Sequence, residues 1–278
     1  MQIAHDVPSL RSVIADATGP IVLVPTMGAL HPGHLSLVDR ARARAGARGM
    51  VVVSIFVNPI QFDRRDDLAA YPRPVESDLA ACRDAGVDLV FAPDAATMYA
   101  PDRSVTVTES ALAKHLCGAA RPGHFDGVCT VCLKLFLITG CEAAVFGEKD
   151  FQQLAIIRRM VRDLDVPVEI IASPTLREPD GLAMSSRNVR LTPGERADAP
   201  RIFRALTEAA GMRDAAQILA HARSEIEASP HARIDYLALV DAATLEPIEA
   251  MTTCPVILAA AVFYGDVRLI DHIRVPVG

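Results

Sequence analysis

Four short segments gather residues able to handle phosphate and a polar acid. The first is Pro25-Thr26-Met27-Gly28-Ala29-Leu30-His31-Pro32-Gly33-His34, set between an apolar run and a helical pattern. Gly28 and Gly33 allow backbone to approach a ligand closely, and the N-terminus of the following helix attracts phosphate. His31 and His34 can both offer donors to charge developing at phosphorus. The same imidazoles also suit a polar turn that caps the helix, but placement on the first strand–helix loop favours the chemical reading. In Phe56-Val57-Asn58-Pro59-Ile60-Gln61-Phe62 the amides of Asn58 and Gln61 suit a hydroxylated substrate without adding charge, although Asn-Pro alone is also a turn signal. In Phe146-Gly147-Glu148-Lys149-Asp150-Phe151-Gln152-Gln153, Lys149 supplies a point charge for phosphate. There Asp150 can cap a helix; a charged cap explains Asp150 and part of Lys149, but not the two glutamines. Finally, Arg177-Glu178-Pro179-Asp180-Gly181-Leu182-Ala183-Met184-Ser185-Ser186-Arg187-Asn188 carries two hydroxyls and an arginine that can close over a triphosphate. Its alternative is a flexible linker, which Leu182-Ala183-Met184 makes too apolar to be a mere tether.

These segments need elements to hold them. Short β-branched or apolar runs at residues 20–25, 50–57, 87–92, 143–146 and 168–172 read as buried strands. Helical patterns at about 33–45, 75–85, 125–139 and 151–164 alternate with them, and Val105 to Thr108 suggests a short extra strand. Strands alternating with helices predict an α/β protein: a Rossmann-like parallel sheet with helices on both faces. Ligands bind such sheets beyond the carboxyl ends of the strands, where three of the four segments fall. From about Ser173 the texture changes. Thr192-Pro193-Gly194-Glu195 is a capping box, two helices follow at about 193–211 and 214–228, and strands are expected at 234–240, 256–262 and 267–275. The organisation expected is a domain over 1–174 that binds the substrates and a smaller α+β C-terminal domain over 175–278 that closes over the site.

Bulk properties narrow the function further. The 278 residues carry a net charge of −6 without a Lys/Arg block, which argues against nucleic acid as a partner. No apolar stretch approaches the roughly 20 residues of a membrane span, and Met1 to Asp6 lacks the pattern of a secretory signal. A cytoplasmic protein is expected. Six cysteines are scattered, and disulfides are not expected in that setting. Cys129 and Cys132 have metal-like spacing, but no second pair or His-x-x-x-His completes a site, so they read as core cysteines on one helix face.

Taken in order, Met-Gly-x-Leu-His-x-Gly-His, Asn-Pro-x-Gln-Phe, Arg121-Pro122-Gly123-His124-Phe125-x-Gly127-Val128, Gly-Glu-Lys-Asp-x-Gln-Gln and Asp-Gly-Leu-Ala-Met-Ser-Ser-Arg-Asn resemble the pantothenate synthetase family. That family lies within the HIGH-type nucleotidyltransferases, and the fourth segment resembles a shortened Lys-Met-Ser-Lys-Ser loop. The resemblance runs from the first strand to Leu191 and weakly on to Arg268-Leu269-Ile270-Asp271. It implies an ATP-dependent ligase joining pantoate to β-alanine through an acyl-adenylate. It also implies ATP contacts at Met27, Gly28, Ala29, Leu30, His31, Pro32, Gly33, His34, Gly147, Glu148, Lys149, Asp150, Leu176, Met184, Ser185, Ser186 and Arg187. Pantoate and β-alanine would be held by Gln61 and Gln153, with Asn58 and Arg121 as further candidates.

The catalytic group implied is His34, matching a proton donor, with His31, Lys149, Ser185 and Arg187 stabilising phosphoryl and pyrophosphate charge. The cofactor expected is Mg²⁺, carried largely by substrate phosphates and water, and a homodimer is the family's usual assembly. Three positions depart from the family pattern. Ser77 interrupts the acidic stretch Glu76-Ser77-Asp78, so no metal ligand is assigned there; Pro32 stands where an acid is common, and His272 where asparagine is. The competing enzyme would be a nucleotidyltransferase of the same fold acting on a phosphorylated substrate, which would call for more basic residues than the neutral Asn58, Gln61 and Gln153.

Overall fold

The computed structural model describes residues 1–276, so the last two residues of the expected C-terminal domain lie outside it. The chain divides into two compact units. The first comprises Met1–Glu109, Arg121–Glu148 and Ile156–Pro174; the second comprises Ser110–Ala120, Lys149–Ala155 and Thr175 onward.

The first unit is built on a six-stranded parallel sheet: β1 (Gln2–Ala4), β2 (Ile21–Thr26), β3 (Met50–Ile55), β4 (Leu89–Phe91), β5 (Ala143–Gly147) and β6 (Glu169–Ser173). Spatial order is β1-β4-β3-β2-β5-β6, all neighbours parallel. The helices that follow these strands are α1 (Val7–Ile14), α2 (Pro32–Ala45), α3 (Arg65–Ala70), α4 (Val75–Asp84) and α5 (Ala95–Met98). The chain then runs through α6 (Leu116–Ala120), α7 (His124–Thr139) and α8 (Phe151–Asp163). Parallel strands need cover on both faces, and β2 shows it. Val22 and Val24 join Leu37, Val38 and Ala41 of α2 in one apolar cluster. Leu23 and Val52, alternating to the other face, are equally buried. The sequence expectation of a Rossmann-like α/β sheet is met. Strand order reverses at β2, whose neighbours β3 and β5 lead to opposite edges, so the crevice for ligands lies beyond the carboxyl ends of β2 and β5.

Two local expectations are corrected. Val105 to Thr108 forms no strand; the Val107 N–H donates instead to Thr130 Oγ1 at 3.0 Å. The single helix expected over 193–211 is two, α9 (Pro193–Asp198) and α10 (Arg201–Ala209), divided at Ala199-Pro200. Pro200 lacks the N–H that a continuous helix would use. The Thr192 capping box is present, with the Glu195 carboxylate accepting from the Thr192 N–H at 2.8 Å.

In the second unit, α11 (Ala215–Glu227) leads into the antiparallel sheet β7 (Ala232–Asp241), β8 (Val256–Tyr264) and β9 (Val267–Val275). Ile202, Ala205, Leu206 and Ala209 recur at helical spacing along α10. They pack with Ile218, Ala222 and Ile226 of α11 against Leu258, Ala260 and Val262 of β8. The opposite face of this sheet meets the two inserted segments. Cys117 Sγ lies 3.3 Å from Tyr236 Oη and accepts from Arg268 at 3.5 Å, and the Phe151 ring stands 5.1 Å from that of His272.

Candidate active site

The loop from β2 to α2 crosses the switch point. Gly28 and Ala29 are both left-handed, with φ of 79° and 51°. That backbone costs an alanine roughly 1–2 kcal/mol, so neighbours must hold it. Gly28 N–H donates to Thr26 Oγ1 at 3.1 Å, and the Thr26 hydroxyl in turn donates to the Ser54 carbonyl at 2.7 Å. Ala29 and Leu30 N–H donate to the two carboxylate oxygens of Asp78 in α4, at 2.8 and 2.7 Å. His31 is the N-cap of α2. Its Nδ1 accepts from Gly33 N–H at 3.1 Å, while His34 Nδ1 accepts from His31 N–H at 3.4 Å. The rings lie 4.0 Å apart.

Two consequences follow from this arrangement. Every main-chain N–H from Gly28 to Gly33 has a partner inside the protein, Pro32 having none to offer, so the expected backbone cradle for phosphate is already occupied. An Nδ1 that accepts a hydrogen bond leaves the proton of a neutral imidazole on Nε2. Capping therefore fixes both histidines as Nε2–H donors. The cap is thus present, and because it uses Nδ1 it does not exclude a donor role at Nε2.

The neutral amides form a second group. Asn58 is buried, its Oδ1 accepting from Tyr99 Oη at 2.8 Å. Asn58 Nδ2 donates to Gln61 Oε1 at 2.9 Å and to the Gly127 carbonyl at 3.1 Å. Gln61 Nε2 then donates to Met27 Sδ at 3.1 Å, which joins this chain to the β2–α2 loop. Burial pushes the Tyr99 hydroxyl well above the ordinary phenol value, so it remains a donor at neutral pH.

Arg121 is turned toward Asp63, with Nε donating to Oδ1 at 3.0 Å, and its guanidinium also reaches His124 Nε2 at 3.1 Å. His124 Nδ1 stands 2.8 Å from the Gln61 carbonyl. That contact needs the proton on Nδ1 and leaves Nε2 to accept from Arg121. Burial alone would raise the Asp63 carboxyl. The hydrogen bond from Arg121, Asp63's own N–H and the charge of Arg121 outweigh it and hold the carboxyl below its usual value. Gly127 lets α7 approach here: a Cβ would fall 2.6 Å from the Ile60 carbonyl oxygen.

Met27, His31, His34, Asn58, Gln61 and Arg121 all belong to the first unit, whereas Lys149, Asp150, Gln153, Leu176 and Met184 to Arg187 belong to the second. Lys149 lies in a 3₁₀ turn, Glu148–Asp150, with Nζ 3.9 Å from Asp150. Of the two glutamines, Gln152 is buried and donates to the Leu112 and His115 carbonyls at 2.9 and 2.7 Å, tying the inserted segments together. Gln153 is half-buried.

The loop around Ser185 is knitted rather than slack. Met184 N–H donates to the Leu176 carbonyl at 3.0 Å and Glu178 N–H to that of Leu182 at 2.8 Å. Arg187 N–H donates to Ser185 Oγ at 3.2 Å, and Asn188 Nδ2 to Glu178 Oε1 at 3.0 Å. Arg177 anchors its base, donating to both Asp271 oxygens at 2.6 and 2.9 Å and lying over the Phe203 ring.

Sequence reasoning missed Tyr99, Asp63 and the use made of Asp78. His124 was visible within its motif; Tyr99 had no spacing signal at all. Among the described residues no group of three or more His, Cys, Asp or Glu is placed to hold a metal ion. Burial pushes the Cys129 thiol up to about 12, aided by the charges of Glu109 and Asp126, and raises that of Cys132 as well.

A parallel sheet whose order reverses at β2, with a capped histidine pair at its carboxyl end, defines a Rossmann-like α/β protein with a candidate ligand site at its switch point. The chain belongs to the pantoate-beta-alanine ligase family, whose profile matches residues 2–274. It is 54% identical over 259 residues to the pantothenate synthetase of Akkermansia muciniphila, covering 91% of this chain and 92% of that protein. The crystal structure of pantothenate synthetase from Thermus thermophilus superposes with a TM-score of 0.93 at 44% identity, over 99% of both chains. The ligase from Francisella tularensis, solved with beta-gamma ATP and beta-alanine, matches with a TM-score of 0.82 at 32% identity, over 98% of this chain and 97% of that one.

Proposed function

We propose that this chain condenses (R)-pantoate with β-alanine at the expense of ATP, giving pantothenate, AMP and pyrophosphate through a pantoyl-adenylate. The observation that carries the reading is the hydrogen-bonded run Tyr99–Asn58–Gln61–Met27 leading to the loop of His31 and His34. It sets neutral amides beside a phosphoryl-handling loop, as a hydroxylated, non-phosphorylated acid requires.

The pantoate carboxylate attacks the α-phosphorus and pyrophosphate leaves. The amine of β-alanine then attacks the acyl carbon and AMP leaves. His31 and His34 turn Nε2–H donors to the charge that grows on the phosphoryl oxygens, and His34 serves as proton donor. Lys149, Ser185 and Arg187 neutralise the departing pyrophosphate. Gln61, Gln153 and Asn58 position pantoate, and Arg121 serves the β-alanine carboxylate. The ATP contacts are those expected from Met27 to His34, Gly147 to Asp150, Leu176 and Met184 to Arg187.

Mg²⁺ would be carried largely by substrate phosphates and water and would supply neutralisation of phosphoryl charge beside Lys149, Ser185 and Arg187. A cytoplasmic homodimer is the location and assembly we propose.

The test is release of AMP and pyrophosphate from ATP. Sustained AMP release is expected only with pantoate and β-alanine together, and pyrophosphate with pantoate alone should stop near one per site. Folded His34→Ala and Lys149→Ala proteins should lose about 10²-fold or more in kcat. Pyrophosphate release with a phosphorylated substrate such as a mononucleotide, and none with pantoate, would replace this reading by the other nucleotidyltransferase.

A further inference from the structure

Asp78 is a fully buried carboxylate that the reaction above does not use. It stands in the first part of α4, one residue beyond the position where the acidic stretch is interrupted by Ser77. Each of its oxygens accepts from a different, adjacent main-chain N–H, those of Ala29 and Leu30. These residues follow Gly28, and the left-handed pair Gly28-Ala29 is the turn that swings the chain from β2 into the cap of α2. A left-handed alanine does not hold itself in place, and an ionised carboxylate is buried only when its oxygens are hydrogen-bonded. Loop and carboxylate therefore each satisfy what the other lacks. The fit is close on both sides. A Cβ on Gly28 would lie 2.8 Å from Asp78 Oδ2, and a longer acid at position 78 would push the loop away.

We propose that Asp78 is a positioning residue for the adenylation half of the reaction: it latches the loop 27–31 so that the His31–His34 pair is presented with both Nε2–H groups fixed. The inference rests on the ligase reading for its kinetic part only. Because Asp78 occupies the N–H groups of Ala29 and Leu30, these cannot serve as phosphate donors, and the loop's donors to the α-phosphoryl group are the imidazoles. Releasing the latch frees two N–H groups and lets the turn relax, which moves the cap and with it both rings. Misplacement of about 1 Å at a reacting centre lowers rate on the order of 10²-fold.

The decisive substitution is Asp78→Asn, which keeps the size but sets an amide NH₂ against one of the two donors. In folded protein, kcat for pantoate-dependent pyrophosphate release is expected to fall about 10- to 100-fold, while the KM for β-alanine stays within about two-fold. A merely structural role would lower apparent kcat only in step with the folded fraction, measured by thermal melting; that result, or a kcat within about two-fold of wild type, overturns the proposal.

Should Asp78→Asn fail to fold, amide hydrogen exchange on the wild-type chain decides. The Ala29 and Leu30 amides are expected to exchange far more slowly than unprotected amides, and exchange at the unprotected rate overturns the latch. Wild-type protein that releases no pyrophosphate with pantoate sinks the ligase reading instead, and the exchange measurement still judges Asp78.

Discussion

Removing one oxygen from Tyr99 would leave Asn58 with a buried carbonyl oxygen and no donor, since its Nδ2 is already committed to Gln61 and to the Gly127 carbonyl. An acceptor stranded that way costs about 1–3 kcal/mol. Tyr99→Phe is therefore expected to lower kcat/KM for pantoate by roughly ten-fold with ATP and β-alanine saturating, and steady-state kinetics in pantoate alone checks it. An unchanged kcat/KM would mean that Asn58 and Gln61 keep their orientation without the hydroxyl. At this scale the sequence was readable where chemistry and spacing coincide, as in His31, His34, Asn58 and Gln61. It was unreadable where one residue acts through another. Tyr99 lies 41 positions from the amide it orients and Asp78 lies 48 from the Leu30 N–H it holds, and neither separation has a local signature. The histidines illustrate a different difficulty. The cap uses Nδ1 and the proposed donor role uses Nε2, so the two readings do not compete.

The elements were more legible than the contacts. Buried parallel strands must be apolar on both faces, and β2, β3 and β5 announce themselves as such. β1 spans only three residues and is a strand because it pairs with β4, a condition invisible in Gln2-Ile3-Ala4. α1 was overlooked although Asp6 caps it, accepting from Ser9 N–H at 2.7 Å. The extra strand expected at 105–108 failed because alternating Val and Thr fits a strand only where a neighbour supplies hydrogen bonds, and Thr130 supplies one from a side chain instead.

Packing between elements gives its own test at Gly127, where α7 rests on the 59–61 turn and a Cβ would meet backbone at 2.6 Å from the Ile60 carbonyl oxygen and 2.7 Å from Gln61 N. Backbone cannot swing aside as a long side chain can. Gly127→Ala is expected to destabilise by about 1–3 kcal/mol and to shift the turn carrying Gln61. Chemical denaturation measures the first effect and the KM for pantoate the second, whereas wild-type values for both would show that the helix can back away at no cost.

At the scale of the molecule, the second unit is assembled from three stretches, and the chain passes between units after residues 109, 120, 148, 155 and 174. No composition shift marks the two short insertions, because their character depends on the partners they find within their unit. Cys117 meets Tyr236 and Arg268, and Phe151 meets His272. A fragment of residues 1–174 would carry both insertions without those partners. It is expected to be cut by trypsin after Lys114 and Lys149, the basic residues of the two insertions, far faster than the full chain, and to melt at a lower temperature. Equal resistance and an equal melting temperature would show that the insertions are supported without the C-terminal sheet.

This interleaving also bears on how such a gene can exchange parts with its relatives. A single crossover near codon 174 would leave Cys117 and Phe151 from one parent facing residues 236, 268 and 272 from the other. The three contacts would then have to be compatible by chance, so exchange of the whole second unit needs five junctions rather than one.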